Sequence, residues 1–469
     1  MLAELVLGEL MFGELTSVIV VSDNRIIRNF RQKVNGSMMT VMEIVLKYGA
    51  DSSVALPLDR DGLVAACGMP RQAPLDDPAA AMAAALVDPL EYPPLKMAIA
   101  PGDRIALALD ADVPCAAELV AGVVASLLEA GAEPQEITLL RANEETQTPS
   151  QDPRRLLPPA VGQQVRLVTH DPAQRDELGY LAASTDGKPI YMNRVLWDAD
   201  VVLPISCLRV ASTLDYAGAF GGLFPTFTDQ ATQRRFRAPD NCASAKRRER
   251  RRREADEAGW WLGVSLAIQV VPGPGESVLH VLAGDVGAVY QRGQQLCQEA
   301  WYHRLPRRAS LVVAGIEGAA NCQSWENVGR ALAAAMNIVD DGGAIAICCE
   351  LATGPGAALS EVAEVQNLDV AYRAVRRQRS PDAAAASQLL RALEKNQVYL
   401  LSRLASDVVE DLGIAPIDAV GEISRLADRH STCAVICNAQ YTVTSAEDDD
   451  TAGQDQAAAL ASGIGGQDQ

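Results

Sequence analysis

The feature that most constrains this chain is a repeated alternation of short apolar runs with amphipathic helical segments. An apolar run at residues 104–109 precedes a helical pattern at 116–130, and a further apolar run follows at 137–140. Runs at 165–168 and 201–204 continue the alternation. Strand–helix–strand units of this kind give parallel strands joined by right-handed crossovers. The pattern therefore predicts an α/β fold with parallel strands.

The second half of the chain repeats this pattern. A hairpin-like pair of runs at 262–271 and 277–282 flanks Pro272-Gly-Pro-Gly275, and a helical segment at 284–298 follows. Further strand-like runs alternate with helical segments; they lie at 310–314, 344–348, 398–401 and 433–437. Because 469 residues exceed what one hydrophobic core usually organises, we expect two α/β domains with parallel or mixed sheets.

The domain boundaries follow from changes in composition. Residues 42–48 and 53–57 read as two strands across a turn at Gly49, so the folded region begins near residue 41. We expect an N-terminal domain at 41–283 and a C-terminal domain at 284–444. Residues 445–469 are acidic and poor in large apolar side chains, which predicts disorder.

The first forty residues read as a mobile extension or an overlong gene start. Residues 1–21 are apolar but contain Glu4, Glu9 and Glu14 and lack a basic start, which is unlike a signal peptide or a membrane anchor. Ten cysteines without a Cys-x-x-Cys pair indicate buried thiols in a reducing compartment. We therefore expect a cytoplasmic protein without a membrane partner.

Charge argues against a general nucleic-acid partner. The net charge is −19, whereas binding to phosphates needs a basic surface. One basic run, at 246–253, stands apart, with Arg234, Arg235 and Arg237 just before it. We interpret the run as the solvated face of a helix. A site for anions or nucleotide phosphates, and an RNA-binding surface, are the alternatives.

An ordered series of motifs gives a more specific indication. Tyr48-Gly49 comes first, then Asp110-Ala-Asp-Val-Pro114, Ala217-Gly-Ala-Phe-Gly-Gly222 and Gly354-Pro-Gly356. In this order, from residue 42 to about 444, the chain resembles the nickel-dependent lactate racemases. The resemblance implies two α/β domains with a cleft between them that holds a nickel pincer nucleotide. In the family this cofactor accepts a hydride from C2 of lactate and returns it to either face.

The resemblance also implies which residue types should carry this chemistry. Two histidines act as acid and base, a lysine tethers the cofactor, and a further histidine binds nickel. Asp110, Gly218, Gly221 and Gly222 match the family's cofactor-binding segments, whereas Val113 replaces an arginine of the first motif.

Most of the other matching positions carry different residues. Glu144 lies in the stretch of the first histidine, and Leu214 replaces the second, with Asp215 and Tyr216 beside it. Phe224 stands where the tethering lysine is expected. Glu144, Asp215 and Tyr216 are therefore the substitute candidates for catalysis.

The substrate-binding and metal positions differ in the same way. The family's Tyr-Gln-x-x-Lys corresponds to Trp325-Glu-Asn-Val-Gly329, so Trp325 and Glu326 are the candidates there, with Arg330 as a shifted cation. No histidine occurs between His170 and His280, where the nickel ligand should lie. We therefore predict no metal site and no bound nickel pincer nucleotide. His170 reads as a structural, hydrogen-bonding histidine.

Two functional hypotheses remain. The chain is a divergent racemase or epimerase of 2-hydroxy acids, an isomerase with altered acid and base groups, or it is a non-catalytic relative that binds a ligand or a partner. A pyridine-nucleotide dehydrogenase is disfavoured because no Gly-x-Gly-x-x-Gly follows the early strand.

Overall fold

The computed structural model describes residues 18–22, 25–34, 37–59, 62–142, 152–210, 218–237, 245–365 and 367–447. These residues divide into two compact units. Unit 1 takes the described residues of Met1–Met69, Tyr302–Gly354 and Gln388–Gln469, and unit 2 those of Pro70–Trp301 and Pro355–Ser387. Both units combine helices with a six-stranded sheet, which confirms the α/β class. Each unit draws on separate stretches of chain, whereas the sequence suggested a single division after residue 283.

The strands and helices of the described residues are numbered in chain order. The strands are β1 (Val18–Ser22), β2 (Arg25–Val34), β3 (Ser37–Tyr48), β4 (Ser52–Asp59), β5 (Leu63–Cys67), β6 (Ile105–Leu109), β7 (Ile137–Arg141), β8 (Arg166–Thr169), β9 (Leu178–Ala183), β10 (Pro189–Asn193), β11 (Val201–Cys207), β12 (Leu266–Pro272), β13 (Val278–Asp285), β14 (Tyr302–Leu305), β15 (Ala309–Gly315), β16 (Val339–Cys348), β17 (Gln397–Leu401), β18 (Ala415–Ile417), β19 (Cys433–Ile436) and β20 (Val443–Ala446). The helices are α1 (Pro78–Val87), α2 (Ala116–Glu129), α3 (Pro159–Gly162), α4 (Arg194–Trp197), α5 (Gln230–Arg237), α6 (Ala245–Trp261), α7 (Val286–Trp301), α8 (Trp325–Met336), α9 (Ala357–Glu364), α10 (Leu368–Arg377), α11 (Ala383–Lys395), α12 (Ser406–Asp411) and α13 (Gly421–Ala427).

The six-stranded sheet of unit 2 has the order β13-β12-β11-β6-β7-β8. Neighbouring strands are parallel except for β12 and β13, which form the antiparallel pair expected from the sequence. All five residues of β6 are buried, as befits a parallel strand covered on both faces. From β6 the chain proceeds outward through β7 and β8, and it later returns to β11 on the other side of β6. The strand order therefore reverses between β6 and β11, and ligands of open α/β sheets bind at the carboxyl ends of such strands.

Helices cover both faces of this sheet. On one face, α2 buries Leu119, Val123 and Leu127, which recur at helical spacing. Each fully buried leucine or valine of this kind contributes about 1.5–3 kcal/mol. Helix α1 approaches α2 closely because residue 122 is glycine: a Cβ there would lie 2.5 Å from the carbonyl oxygen of Ala79. The second cluster contains Phe224, Phe227 and two alanines of α6.

The six-stranded sheet of unit 1 has the order β18-β17-β16-β15-β19-β5, and its neighbouring strands are all parallel. Strand β5, at Leu63–Cys67, joins it from the first part of the chain. The order reverses here between β15 and β19. Strands β1 to β4 form a separate antiparallel sheet, and β14 pairs with β20.

Strands β1 and β2 lie within the region before residue 41 that the sequence led us to expect as an extension. Strands β1 and β2 pair with Ser22 opposite Arg25, and β2 and β3 pair with Val34 opposite Ser37. The sequence between the latter two is Asn-Gly, which is the strongest short hairpin signal. The flanking runs are rich in Val, Ile and Met, so the hairpin pattern extends further towards the N-terminus than expected. Disorder was predicted for residues 445–469; the first two of these end strand β20, and residues 448–469 lie outside the described residues.

Other local differences are small. Strand β9 was not anticipated, and the strand expected from residue 262 begins at Leu266 because helix α6 continues to Trp261. Among the described helices, none is both long enough and apolar enough to cross a membrane.

Candidate functional site

The carboxyl ends of β6 and β11 in unit 2 bring together several of the residues that the sequence singled out. Asp110 directly follows β6, and its amide donates to the carbonyl of Ile205 on β11 at 3.0 Å. Its Oδ1 accepts hydrogen bonds from the Thr226 hydroxyl at 3.0 Å and from the Ala111 amide at 2.9 Å. Asp110 is thus held at the point where the strand order reverses.

Burial changes the acidity of this carboxyl. Removal from water raises the pKa of Asp110 to about 7, although the hydrogen bonds from Thr226 and Ala111 act in the opposite direction. The nearby Asp112 carboxylate raises the pKa further, and Arg209 lowers it. A carboxyl with a pKa near neutrality exchanges protons at physiological pH, as functional carboxyls often do.

The glycine-rich segment packs directly against Asp110. A Cβ on Gly222 would lie 2.3 Å from the Cβ of Ser206 and 3.0 Å from Oδ2 of Asp110, so only glycine fits here. Gly218 and Gly221 are joined by a turn in which the Gly221 amide donates to the Gly218 carbonyl at 3.1 Å. The structure therefore brings Asp110 next to the segment that holds Gly218, Gly221 and Gly222, and their role in binding a cofactor stays a prediction.

Gln269 of β12 also contacts the glycine-rich segment. Its Nε2 donates to the carbonyl of Ala219 at 3.2 Å, while its Oε1 has no hydrogen-bond partner within the described part of the chain. The residue is 2% exposed. A buried acceptor without a partner costs free energy, and such groups are uncommon unless a ligand or water completes them. Gln269 could not be singled out from the sequence, because it lies within an apolar strand and belongs to no motif.

Phe224, which the sequence resemblance aligns with the tethering lysine, belongs to the core. It is 0% exposed, and its ring meets that of Phe236 edge-on at 5.1 Å between centroids. The peptide bond to Pro225 is cis. The side chain has no amine and packs within the apolar cluster of Leu223, Phe227, Ala255 and Ala258.

Arg209 is the cation at this end of the sheet that the sequence analysis missed. It follows β11 by two residues, and its guanidinium lies 3.6 Å from Oδ2 of Asp112. The arginine side chain is 14% exposed and that of Asp112 is 38% exposed. Val113, at the arginine position of the family motif, packs against the apolar core instead. A cation directly after a strand at a reversal of strand order was the signal available in the sequence.

His170 is structural in its surroundings. Its Nε2 lies 2.9 Å from the Thr228 carbonyl and its Nδ1 lies 3.1 Å from Nδ2 of Asn193. The side chain is buried, and burial lowers its pKa. A neutral imidazole that joins two segments by hydrogen bonds fits the sequence interpretation.

Trp325, Glu326 and Arg330, the candidates for substrate binding, lie together on helix α8 of unit 1. The Trp325 indole donates to the carbonyls of Thr353 and Gly354 at 3.0 and 3.1 Å. Arg330 pairs with Glu326 one turn away and donates to Oδ1 of Asn327 at 2.6 Å. These contacts join the start of α8 to the segment that follows β16, and they pair side chains along the surface of α8. A role in substrate binding stays a prediction.

The three substitute candidates for catalysis, Glu144, Asp215 and Tyr216, lie outside the described residues, as does Leu214. The basic run at 246–253 falls on helix α6, and its arginines differ in exposure. Arg250 is exposed and pairs with Asp186, whereas Arg251 is half-buried and lies over the ring of Phe236. The run is therefore only in part the solvated face that was expected.

A cavity of about 390 Å³ opens at the opposite, amino-terminal edge of the same sheet. Its walls carry both signs of charge, including Arg166, Arg194, Glu177 and Asp198. None of the residues around Asp110 borders it. This opening and the perturbed carboxyl of Asp110 are thus at different edges of the sheet, and we place the candidate site at the carboxyl edge.

The described residues do not fit a tethered nickel pincer nucleotide if the sequence resemblance is followed. It implies an amine at the position of Phe224, where the structure has a buried phenyl ring. Within the described residues no three His, Cys, Asp or Glu side chains converge in a way that would hold a metal ion. The described cysteines are free thiols and most are buried; for Cys348 and Cys433, burial raises the pKa of the thiol, which disfavours the thiolate that metals bind.

Comparisons with known proteins agree with the fold. The lactate racemase N-terminal domain family matches residues 48–234. The lactate racemase apoprotein from Thermoanaerobacterium thermosaccharolyticum has a similar structure, with a TM-score of 0.68 and 16% sequence identity over 86% of this chain and 99% of that one. A protein of known crystal structure from Thermotoga maritima is also similar, with a TM-score of 0.59 and 13% identity over 80% of this chain and 100% of that one. No curated protein sequence matches.

The family match covers the segment that contains β6, Asp110, the glycine-rich turn and Phe224. The structural similarity extends across both units at low sequence identity and therefore supports the fold. Residues 48–234 match the lactate racemase N-terminal domain family, and the fold is similar to that of a lactate racemase apoprotein.

Proposed function

We propose that this protein binds a small polar molecule at the carboxyl ends of β6 and β11 and does not racemise 2-hydroxy acids through a tethered nickel pincer nucleotide. The observation that carries the proposal is the burial of Phe224 in the core at the tethering position. A lysine in its place would have to leave this cluster to reach a cofactor. Without the tether the cofactor is not held in place, and the other catalytic residues have no cofactor to act with.

The binding half of the proposal is supported by polar groups retained at the same edge of the sheet. Asp110 exchanges a proton near neutral pH, and the Oε1 of Gln269 lacks a partner within the described residues. Both lie against the segment from Gly218 to Gly222, where the backbone approaches the strands closely. Polar groups that converge at a reversal of strand order are typical of ligand sites in α/β proteins.

The test is conversion of D-lactate and L-lactate by protein purified from cells that make the nickel pincer nucleotide. The lactate racemase from Thermoanaerobacterium thermosaccharolyticum, prepared in the same cells, is the positive control. We expect no interconversion above the protein-free blank, because nothing holds the cofactor. Turnover that is abolished by Glu144→Ala or Asp215→Ala would refute the proposal.

A second candidate function is a divergent epimerase of 2-hydroxy acids or sugar acids, with Asp110 as the proton-transfer group. The raised pKa of Asp110 favours it, because a general acid or base works best with a pKa near the working pH. The test is a screen of 2-hydroxy acids and sugar acids for exchange of the C2 proton with deuterium. Exchange that follows a pKa near 7 and is lost in Asp110→Asn would establish this function; no exchange in any substrate would exclude it.

A further inference from the structure

We propose that Arg209 binds the anionic group, a carboxylate or a phosphate, of the small molecule at the carboxyl ends of β6 and β11. The inference rests on the proposed binding function and assigns it a ligand class and a recognition residue. Arg209 is the cation that the structure places beside Asp110 and Asp112.

The backbone around Arg209 is held firmly by helix α7. Leu208 packs so closely on Gly293 that a Cβ there would lie 2.1 Å from Cδ1 of the leucine. One residue along α7, Nε2 of Gln294 donates to the carbonyl of Arg209 at 2.9 Å. The amide of Leu208 also extends the ladder to Val270 at 2.8 Å. A guanidinium on so fixed a backbone is pre-organised, which reduces the entropy lost when a ligand binds.

The electrostatic surroundings favour exchange of one anion for another. The Arg209 side chain is largely removed from water, so its charge needs an anion nearby. The Asp112 carboxylate, at 3.6 Å, is the more exposed member of the pair and keeps much of its hydration. A ligand anion gains the two parallel hydrogen bonds that a guanidinium offers to carboxylates and phosphates, while Asp112 turns towards solvent.

The position of Asp112 is consistent with a resting counter-ion. Its backbone has φ of 57°, in the left-handed region that aspartate tolerates better than most residues. This conformation belongs to the turn after β6 that also carries Asp110. When Asp110 is protonated, an incoming anion meets one carboxylate, that of Asp112, instead of two among the described residues beside Arg209.

The experiment is calorimetric titration of the full-length protein at pH 6.5 with sodium L-lactate, which offers a carboxylate, and with AMP, which offers a phosphate. We expect wild-type protein to bind one of the two probes, and the one it binds identifies the anion. Arg209→Met, which keeps an unbranched apolar chain but removes the guanidinium and its charge, should weaken that binding at least tenfold, or about 1.4 kcal/mol. Arg209→Lys should lose less, and Asp112→Asn should bind more tightly.

The result that would overturn the inference is Arg209→Met binding as tightly as wild type, or binding of neither probe by wild type. Thermal unfolding of each variant separates loss of binding from loss of folding. If the methionine variant is unstable, the affinity of Arg209→Lys for the same probe takes its place. Racemisation of lactate together with Arg209-dependent binding would refute the proposed function and leave this inference standing. The two failures are therefore distinguishable.

Discussion

The two six-stranded sheets reverse their strand order in the same way, yet their carboxyl ends differ in how polar groups are satisfied. In unit 2, Asp110 has a pKa raised by burial, and Gln269 keeps an unpartnered Oε1 within the described residues. In unit 1, Gln323 uses both ends of its amide: Nε2 donates to the carbonyls of Ile316 and Gly318, and Oε1 accepts from the amide of Glu350.

Charged groups differ between the two ends in the same sense. Glu350 of unit 1 accepts from the Ser52 hydroxyl at 2.6 Å and pairs with Arg403 at 2.9 Å. These contacts lower its pKa, led by the hydrogen bond from Ser52. Around Gln323 and Glu350, the end of the unit 1 sheet is thus satisfied by hydrogen bonds within the unit. Two sheets with the same reversal of strand order therefore differ in the hydrogen bonding of these side chains at their carboxyl ends. We place the ligand site at the end of the unit 2 sheet, where the buried Oε1 of Gln269 lacks a partner within the described residues.

The largest expected effect concerns Phe224, the position at which we propose that the tether is lost. Phe224→Ala should lower the free energy of unfolding by about 3–5 kcal/mol, because a fully buried ring is replaced by a cavity. Phe220→Ala, at a half-buried ring of the same segment, is the matched control and should cost less. Urea unfolding measures both. Equal small losses would mean that Phe224 is not part of the core, and the argument about the tether would fail.

Two glutamines test the contrast directly. Gln323→Leu in unit 1 should cost about 2–4 kcal/mol, because it removes three hydrogen bonds and takes from the buried Gly318 carbonyl and the Glu350 amide the partner that Gln323 supplies. Gln269→Leu in unit 2 should change stability by less than about 1 kcal/mol, since it also removes an unpartnered acceptor. Chemical denaturation of both variants measures the two changes in the free energy of unfolding. A larger loss for Gln269→Leu would reverse the contrast.

The two carboxyls should give pH dependences of opposite sign. The folded-state pKa of Asp110 is raised, so its contribution is favourable at low pH and is lost as pH rises towards 7. Wild type should therefore lose roughly 2 kcal/mol relative to Asp110→Asn between pH 5 and 7. The pKa of Glu350 is lowered, so its contribution is present above its unfolded-state pKa and is lost as pH falls.

Unfolding measured from pH 4 to 8 for wild type, Asp110→Asn and Glu350→Gln tests these signs. Asp110→Asn should flatten the decline towards pH 7, and Glu350→Gln should flatten the decline on the acid side. Parallel curves for wild type and Asp110→Asn would show that Asp110 titrates normally, and unit 2 would lose its distinguishing carboxyl.

The smallest expected effect is at an exposed ion pair of unit 1. Arg403→Met should lower the free energy of unfolding by about 0–1 kcal/mol, because the arginine side chain is 65% exposed and its pairing with Glu350 is screened by water. Raising the salt concentration should remove most of the difference. A loss well above this range would mean that the end of unit 1 depends on charge as much as unit 2 does.

Much of the fold was accessible from the sequence because it depends on local periodicity. The apolar run of β6 and the helical pattern of α2 were placed within a residue of their observed bounds. Strand β5 was not recognised as part of the unit 1 sheet, because its partner β19 lies far along the chain. Pairings of that kind depend on the whole fold and leave no local signal.

The site was accessible only in part for the same reason. Asp110 and the three glycines were found through motifs, and the structure brings them together. The raised pKa of Asp110 depends on burial and on Thr226, which is distant in sequence. Arg209 lies in no motif, and its role follows from the neighbouring ends of β6 and β11. The sequence showed that Phe224 stands where a lysine is expected, but it did not show that the Phe224 side chain is buried.

The most direct test of the central claim is the intact mass of the protein purified from cells that make the nickel pincer nucleotide. The account predicts the mass of the unmodified 49.9 kDa chain, with no covalent addition. A population heavier by the mass of the nucleotide, lost in a variant of the attached residue, would contradict it.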